Sequence, residues 1–140
     1  MCISFAVIDF NPDVVKQLER DGTPVYFGDA ADVEFLSSLP LEKAKLIIST
    51  IPEVDDQLTF VKHIRVRSKK PYLIANLTSV EYLDDFYRTG VDYILMPHLL
   101  GGYRISEILR SQPLTRKVFR KLRDEQKGEL VLRLRAKTHV

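Results

Sequence analysis

The chain has 140 residues, 45% of them apolar and 29% charged, which suits one domain with a real core. Its longest apolar runs are a few residues, too short to span a membrane. A lone cysteine, Cys2, excludes an internal disulfide and fits a reducing cytoplasm. The net charge of +2 hides an asymmetry: residues 1–109 carry 11 Lys and Arg against 16 Asp and Glu, whereas residues 110–140 carry 10 against 3. An acidic body argues against a nucleic-acid-binding core, and the basic tail is read first as a solvated helix and linker, with attraction to an anionic membrane surface or an acidic partner as the alternative.

Apolar runs alternate with amphipathic stretches along the chain. Residues 3–10 are apolar and β-branched, as in a buried parallel strand. Asn11-Pro12-Asp13 then opens a helix that ends at Asp21-Gly22. A short strand at 24–27 leads to Gly28-Asp29-Ala30-Ala31-Asp32, where Asp32 can cap a helix over 33–39. A third strand, 46–51, stops at Pro52; a helix over 55–67 places Leu58, Val61 and Ile64 inward. A fourth strand at 72–77, a helix at 80–89 closed by Gly90, and a fifth strand at 91–96 closed by Pro97 follow. Another helix starts at Gly101. In the tail, residues 117–126 suit a basic helix and residues 129–137 alternate as a half-exposed strand does. Connections of this length demand parallel pairing, so the expected fold is α/β: a doubly wound, Rossmann-like parallel sheet in three layers.

Ligands of such sheets bind beyond the C-terminal ends of the strands. Asp9 ends the first strand, with Asn11 in the same loop, and a carboxylate there can accept both hydroxyl protons of a ribose. Gly28 would let a base approach the backbone, and Asp29 would accept from an adenine amino group; a turn and a helix cap explain the same loop. Ser49 and Thr50 can line a cofactor or simply satisfy the backbone at the strand end.

The runs Val7-Ile8-Asp9-Phe10-Asn11-Pro12, Gly28-Asp29-Ala30 and Ile47-Ile48-Ser49-Thr50-Ile51-Pro52 resemble the RCK/KTN family, also called the TrkA N-terminal domain. The run from Gly90 through Met96-Pro97-His98 to Gly101-Gly102 is similar to the cytoplasmic domains of Kef-type cation:proton antiporters. The resemblance covers residues 5–110 and implies a regulatory domain that binds NAD(H) or an adenine nucleotide such as AMP or ATP and gates a potassium or other cation pathway. It implies that Asp9 holds the ribose, that Asp29 and Ala30 face the adenine, that Ser49 and Thr50 lie near the middle of the cofactor, and that Thr78 lies near its far half. It also implies a homodimer and a membrane transporter or channel subunit as partner, placing the chain at the cytoplasmic face of a membrane.

The family opens with a strand and a G-x-G-x-x-G loop about 25 residues ahead of the ribose-binding acid. No such loop occurs here, so the expected domain is a Rossmann unit over 1–110 without its first, central strand, followed by a basic tail over 111–140. The expected outcome is either an open sheet that another polypeptide completes or a sheet repaired by direct pairing of 46–51 with 3–10. Apolar residues Leu99, Leu100, Ile105, Ile108 and Leu109 mark the helix expected to form the dimer contact.

Nothing points to catalysis. His63 lies within an amphipathic helix, His139 lies in the tail, and His98 alone follows a strand end. H-E-x-x-H and G-x-S-x-G patterns are absent, and the pairs Asp55-Asp56 and Asp84-Asp85 sit at solvated helix starts. A fragment of an NAD-dependent oxidoreductase is the alternative from another class.

Overall fold

The structure, a computed structural model, describes residues 4–138, with side chains through residue 131. It divides into two compact units, Met1–Pro97 and His98–Val140.

In the first unit, strand and helix alternate as the periodicity predicts. β1 (Val7–Asp9) leads into α1 (Pro12–Arg20), whose N-cap Asn11 accepts the Asp13 N–H at 2.9 Å. Pro12 pre-sets the first helical turn, and Gly22, at φ 72°, turns the chain out of it. β2 (Val25–Phe27) follows, then α2 (Val33–Ser38), capped by Asp32 through the N–H groups of Glu34 and Phe35. β3 (Leu46–Ser49), α3 (Val54–Arg67), β4 (Tyr72–Asn76), α4 (Leu83–Thr89) and β5 (Tyr93–Leu95) complete the unit. The strands are shorter than their apolar runs. Pairing, not hydrophobicity, decides where a strand ends, and the flanking residues have no neighbour to pair with.

All pairing is parallel, in two separate pieces: β1 with β2, and β3-β4-β5. The direct pairing of β3 with β1 that would repair the sheet does not form. Leu36 of α2, Phe60, Val61 and Ile64 of α3, and Phe86 of α4 share one core with Leu73, Ala75 and Ile94 of the strands. These three helices therefore cover one face. α1 buries Val15 outside that core. The strand orders are β1-β2 in one piece and β3-β4-β5 in the other, so each crossover within a piece joins neighbouring parallel strands.

The N-terminal end of the larger sheet is held by one side chain. Arg65 donates from Nε to Gly90 C=O at 2.7 Å, from Nη1 to Pro71 C=O at 2.8 Å and from Nη2 to Asp92 Oδ2 at 2.9 Å. The same Asp92 oxygen accepts the Leu73 N–H at 2.7 Å. Gly90 stands at φ 113°, a conformation that few other residues adopt, and its N–H caps α4.

The second unit contains α5 (Pro97–Ser111) and α6 (Arg116–Thr138). Ile108 of α5 and Val118 and Leu122 of α6 are half-buried and line one cleft. Where the sequence alternation predicted a strand over 129–137, α6 continues without a break. Its Leu, Arg, Lys, Glu and Gln residues are strong helix formers, and three alternating leucines do not outweigh them without a partner strand. Leu99, Leu100, Tyr103, Ile105 and Leu109 of α5 are exposed. No helix among the described residues is long and apolar enough to cross a membrane.

Candidate functional site

The sequence-derived residues lie at the C-terminal ends of strands: Asp9, Asn11, Gly28, Asp29 and Ala30 after β1 and β2, and Ser49, Thr50 and Thr78 after β3 and β4. Asp9 ends β1 half-buried. Its Oδ1 accepts the Asn11 N–H at 2.8 Å, and its backbone C=O accepts the Gly28 N–H at 3.1 Å. These bonds fix the carboxylate at the strand tip and tie the first loop to the second. Among the described residues Oδ2 has no partner, so the group keeps one free acceptor toward solvent. The Asn11 side chain is committed to capping α1.

The second loop is tied largely to itself. Asp29 Oδ1 accepts the Ala31 N–H at 2.8 Å, and Asp29 C=O accepts the Asp32 N–H at 3.0 Å. Ala30 packs against the core cluster, so its methyl group faces inward. A Cβ at Gly28 would collide with the Phe35 ring. The need for glycine at this position is thus met by packing inside the chain, and the space a base would need there holds an aromatic side chain.

Ser49 is buried, and its Oγ accepts the Ile51 N–H at 3.4 Å, closing the turn after β3. Thr50 and Thr78 are exposed at the ends of β3 and β4. Two further polar groups at this end were not singled out from sequence. Gln57 of α3 is buried and donates from Nε2 to Asn76 C=O at 2.7 Å, yet Gln57 Oε1 and Asn76 Oδ1 are buried without partners. Their signal was present: Gln57 shares the inward stripe of α3 with Val61 and Ile64, at spacings of four and seven.

The electrostatics of these strand ends are one-sided. The loops after the five strands carry Asp9, Asp29, Asp32 and Glu53, and none carries Lys or Arg. Such carboxylates accept hydrogen bonds from hydroxyl and amino groups and repel anions. Among the described residues no group of His, Cys, Asp and Glu is arranged to hold a metal ion.

The profile of the TrkA-N domain matches residues 2–97. The chain belongs to the TrkA-N domain family. A probable potassium channel protein of Methanocaldococcus jannaschii is 30% identical over 110 residues, covering 76% of this chain and 32% of that protein. The glutathione-regulated potassium-efflux protein KefC of Cronobacter sakazakii is 26% identical over 89 residues, covering 64% of this chain and 14% of KefC. The chain therefore spans a third or less of these relatives. Among solved structures, the TrkA-N domain of the Escherichia coli inner membrane protein ybaL superposes with a TM-score of 0.71 at 24% identity, covering 76% of this chain and 79% of that one. The NAD-bound GsuK channel gives 0.61 at 24% identity, over 71% of this chain and 18% of that one. The AMP-bound Kef C-terminal domain of Shewanella denitrificans gives 0.56 at 15%, over 95% and 92%. These likenesses confirm a Rossmann-like α/β fold for this TrkA-N chain.

Proposed function

We propose that this TrkA-N domain is a non-catalytic regulatory module of a potassium or other cation transport system, and that it senses an adenine nucleotide through the strand-end crevice. The observation that carries the reading is Asp9, fixed at the tip of β1 with one carboxylate oxygen free to accept from a ribose. The relatives are potassium channel and efflux proteins, and two structures of like fold hold NAD and AMP. The nucleotide would favour one arrangement of the domain, and a linked membrane subunit would respond to that shift in population.

Of such a ligand the ribose has an acceptor and the phosphates have no cation. Asp9 supplies the ribose acceptor, with Asp29, Ala30, Ser49, Thr50 and Thr78 assigned to the rest of the ligand and the adenine kept off Gly28, whose open side the Phe35 ring fills. No cation in the strand-end loops offsets a phosphate charge. Adenosine and AMP are therefore expected to bind at least as well as NADH, and NADPH worst, because its 2′-phosphate meets Asp9. Isothermal calorimetry with these four compounds tests the ranking. Asp9→Ala removes a charge-assisted hydrogen bond of about 1.5–3 kcal/mol, a loss of roughly 10- to 150-fold in adenosine affinity. Tighter binding of NADPH than of NADH, or an Asp9→Ala chain that binds adenosine unchanged, would remove Asp9 from this role.

A further inference from the structure

The positive charge of the sequence gathers on one face of α6. Residues 110–140 carry 10 Lys and Arg against 3 Asp and Glu. At 3.6 residues per turn, Arg116, Arg120, Arg123 and Lys127 fall within about 60° of one another, in a straight stripe about 16 Å long. All four are exposed. Among the described residues Arg116, Arg120 and Lys127 join no ion pair, and Arg123 only approaches Asp124, at 3.9 Å. Phe119 and Leu130 flank the stripe on one side and are 49% and 51% exposed. Arg116, Phe119, Arg120 and Arg123 border one shallow, open cleft.

The opposite side of the helix is used within its own unit. Val118 and Leu122 are half-buried there, and Glu125 lines the same cleft with Ile108 of α5. The charges of α6 are thus sorted. A solvated helix face ordinarily mixes the two signs and pairs them three or four residues apart, as Arg104 and Glu107 do on α5. The stripe on α6 sets cation beside cation at those spacings. Such neighbours repel, and the repulsion persists until anions cover the face.

We propose that this face of α6 docks on an anionic lipid surface: the helix lies in the plane of the surface, the four cations meet headgroup phosphates, and Phe119 and Leu130 enter the boundary of the acyl chains. Cations on a helix attract acidic lipids, and apolar side chains beside them gain by leaving water. A second copy of the helix would set the stripe against an identical one. Duplex nucleic acid offers phosphates but no apolar layer for Phe119 and Leu130. An acidic protein would have to match the spacing of the cations residue by residue, whereas lipids diffuse to them. The contact needs no nucleotide and stands on α6 alone.

The test uses the full 140-residue chain and sucrose-loaded vesicles, made of phosphatidylcholine alone or with about one third phosphatidylserine. Co-sedimentation reads the bound fraction. The chain should bind the acidic vesicles at low salt, leave them as salt is raised, and ignore the neutral ones. Each cation near such a surface is worth about fivefold in binding, so Arg116→Gln, Arg120→Gln and Arg123→Gln together should weaken it by about 100-fold. Glutamine keeps the helix propensity, and circular dichroism shows that the variant still folds. Lys16→Gln, Lys69→Gln and Lys70→Gln together remove the same charge from the first unit and should weaken binding by less than about fivefold. Phe119→Ala should weaken it by about tenfold and leave its salt dependence unchanged, since it removes apolar contact and no charge. Failure to bind acidic vesicles at low salt would overturn the proposal. Equal losses in the two triple variants would overturn it as well, because net charge and not this face would then govern binding. Binding that Phe119→Ala leaves unchanged would mean adhesion by charge alone, as duplex DNA would also give, and would overturn it too.

Discussion

Replacing Arg65 with alanine isolates the side chain that ties α3 to the ends of β4 and β5. The Arg65 side chain is 14% exposed and its guanidinium makes three bonds, two to main-chain carbonyls of Pro71 and Gly90 and one to Asp92. Each charge-assisted bond is worth about 1.5–3 kcal/mol where the partner is left unsatisfied, and less where water can replace it. Asp92 is 46% exposed, so water and its remaining bond to the Leu73 N–H recover most of that share. The two carbonyls are then left with the larger loss, which gives about 2–4 kcal/mol for Arg65→Ala. For a unit of this size that is a fall of about 10–20 °C in melting temperature. Arg88→Ala is the internal comparison: its bond to Asp85 is 3.8 Å long with both side chains largely exposed, and its loss should cost under about 0.5 kcal/mol. Arg67→Ala should fall between the two, since Arg67 reaches one carbonyl, Leu36 C=O, and the half-exposed Glu42. Urea denaturation of the three variants gives the ranking. Arg65→Ala within error of Arg88→Ala would refute the reasoning.

Gly28→Ala should destabilise by about 1–3 kcal/mol because the new methyl meets the Phe35 ring, and a second change, Phe35→Leu, should recover part of that loss; a fully additive pair would argue against the clash. Gly90→Ala should cost more than Gly22→Ala in urea melts: both glycines have positive φ, but a Cβ at Gly90 would stand 3.1 Å from the Arg65 side chain whereas Gly22 faces open space. Gln57→Leu should destabilise by no more than about 1–2 kcal/mol in the same melts, because it leaves the Asn76 carbonyl without this donor but also removes a buried acceptor that has no partner; a loss of several kcal/mol would mean that Oε1 is satisfied. Sedimentation should show a dimer that Ile105→Glu on the exposed face of α5 dissociates, and a monomer at high micromolar concentration would remove that face as the contact.

Fold class was legible because it rests on local signals of a kind that sequence carries. Asn11-Pro12-Asp13, Asp32 and Gly90 each cap or close the helix expected of them, since capping chemistry acts within a few residues. The end of the chain was misread for the complementary reason. A strand needs a neighbour, the alternating leucines after residue 129 carry no information about one, and helix propensity decides. The site was half legible. That Asp9 sits at a strand tip follows from where the apolar run ends. The purpose of Gly28 does not, because the Phe35 ring that fills its space belongs to the following helix. Gly90-Val91-Asp92, part of the run that carries the family resemblance, also has an architectural role that the sequence did not show: a left-handed cap and a carboxylate that serve the Arg65 clamp.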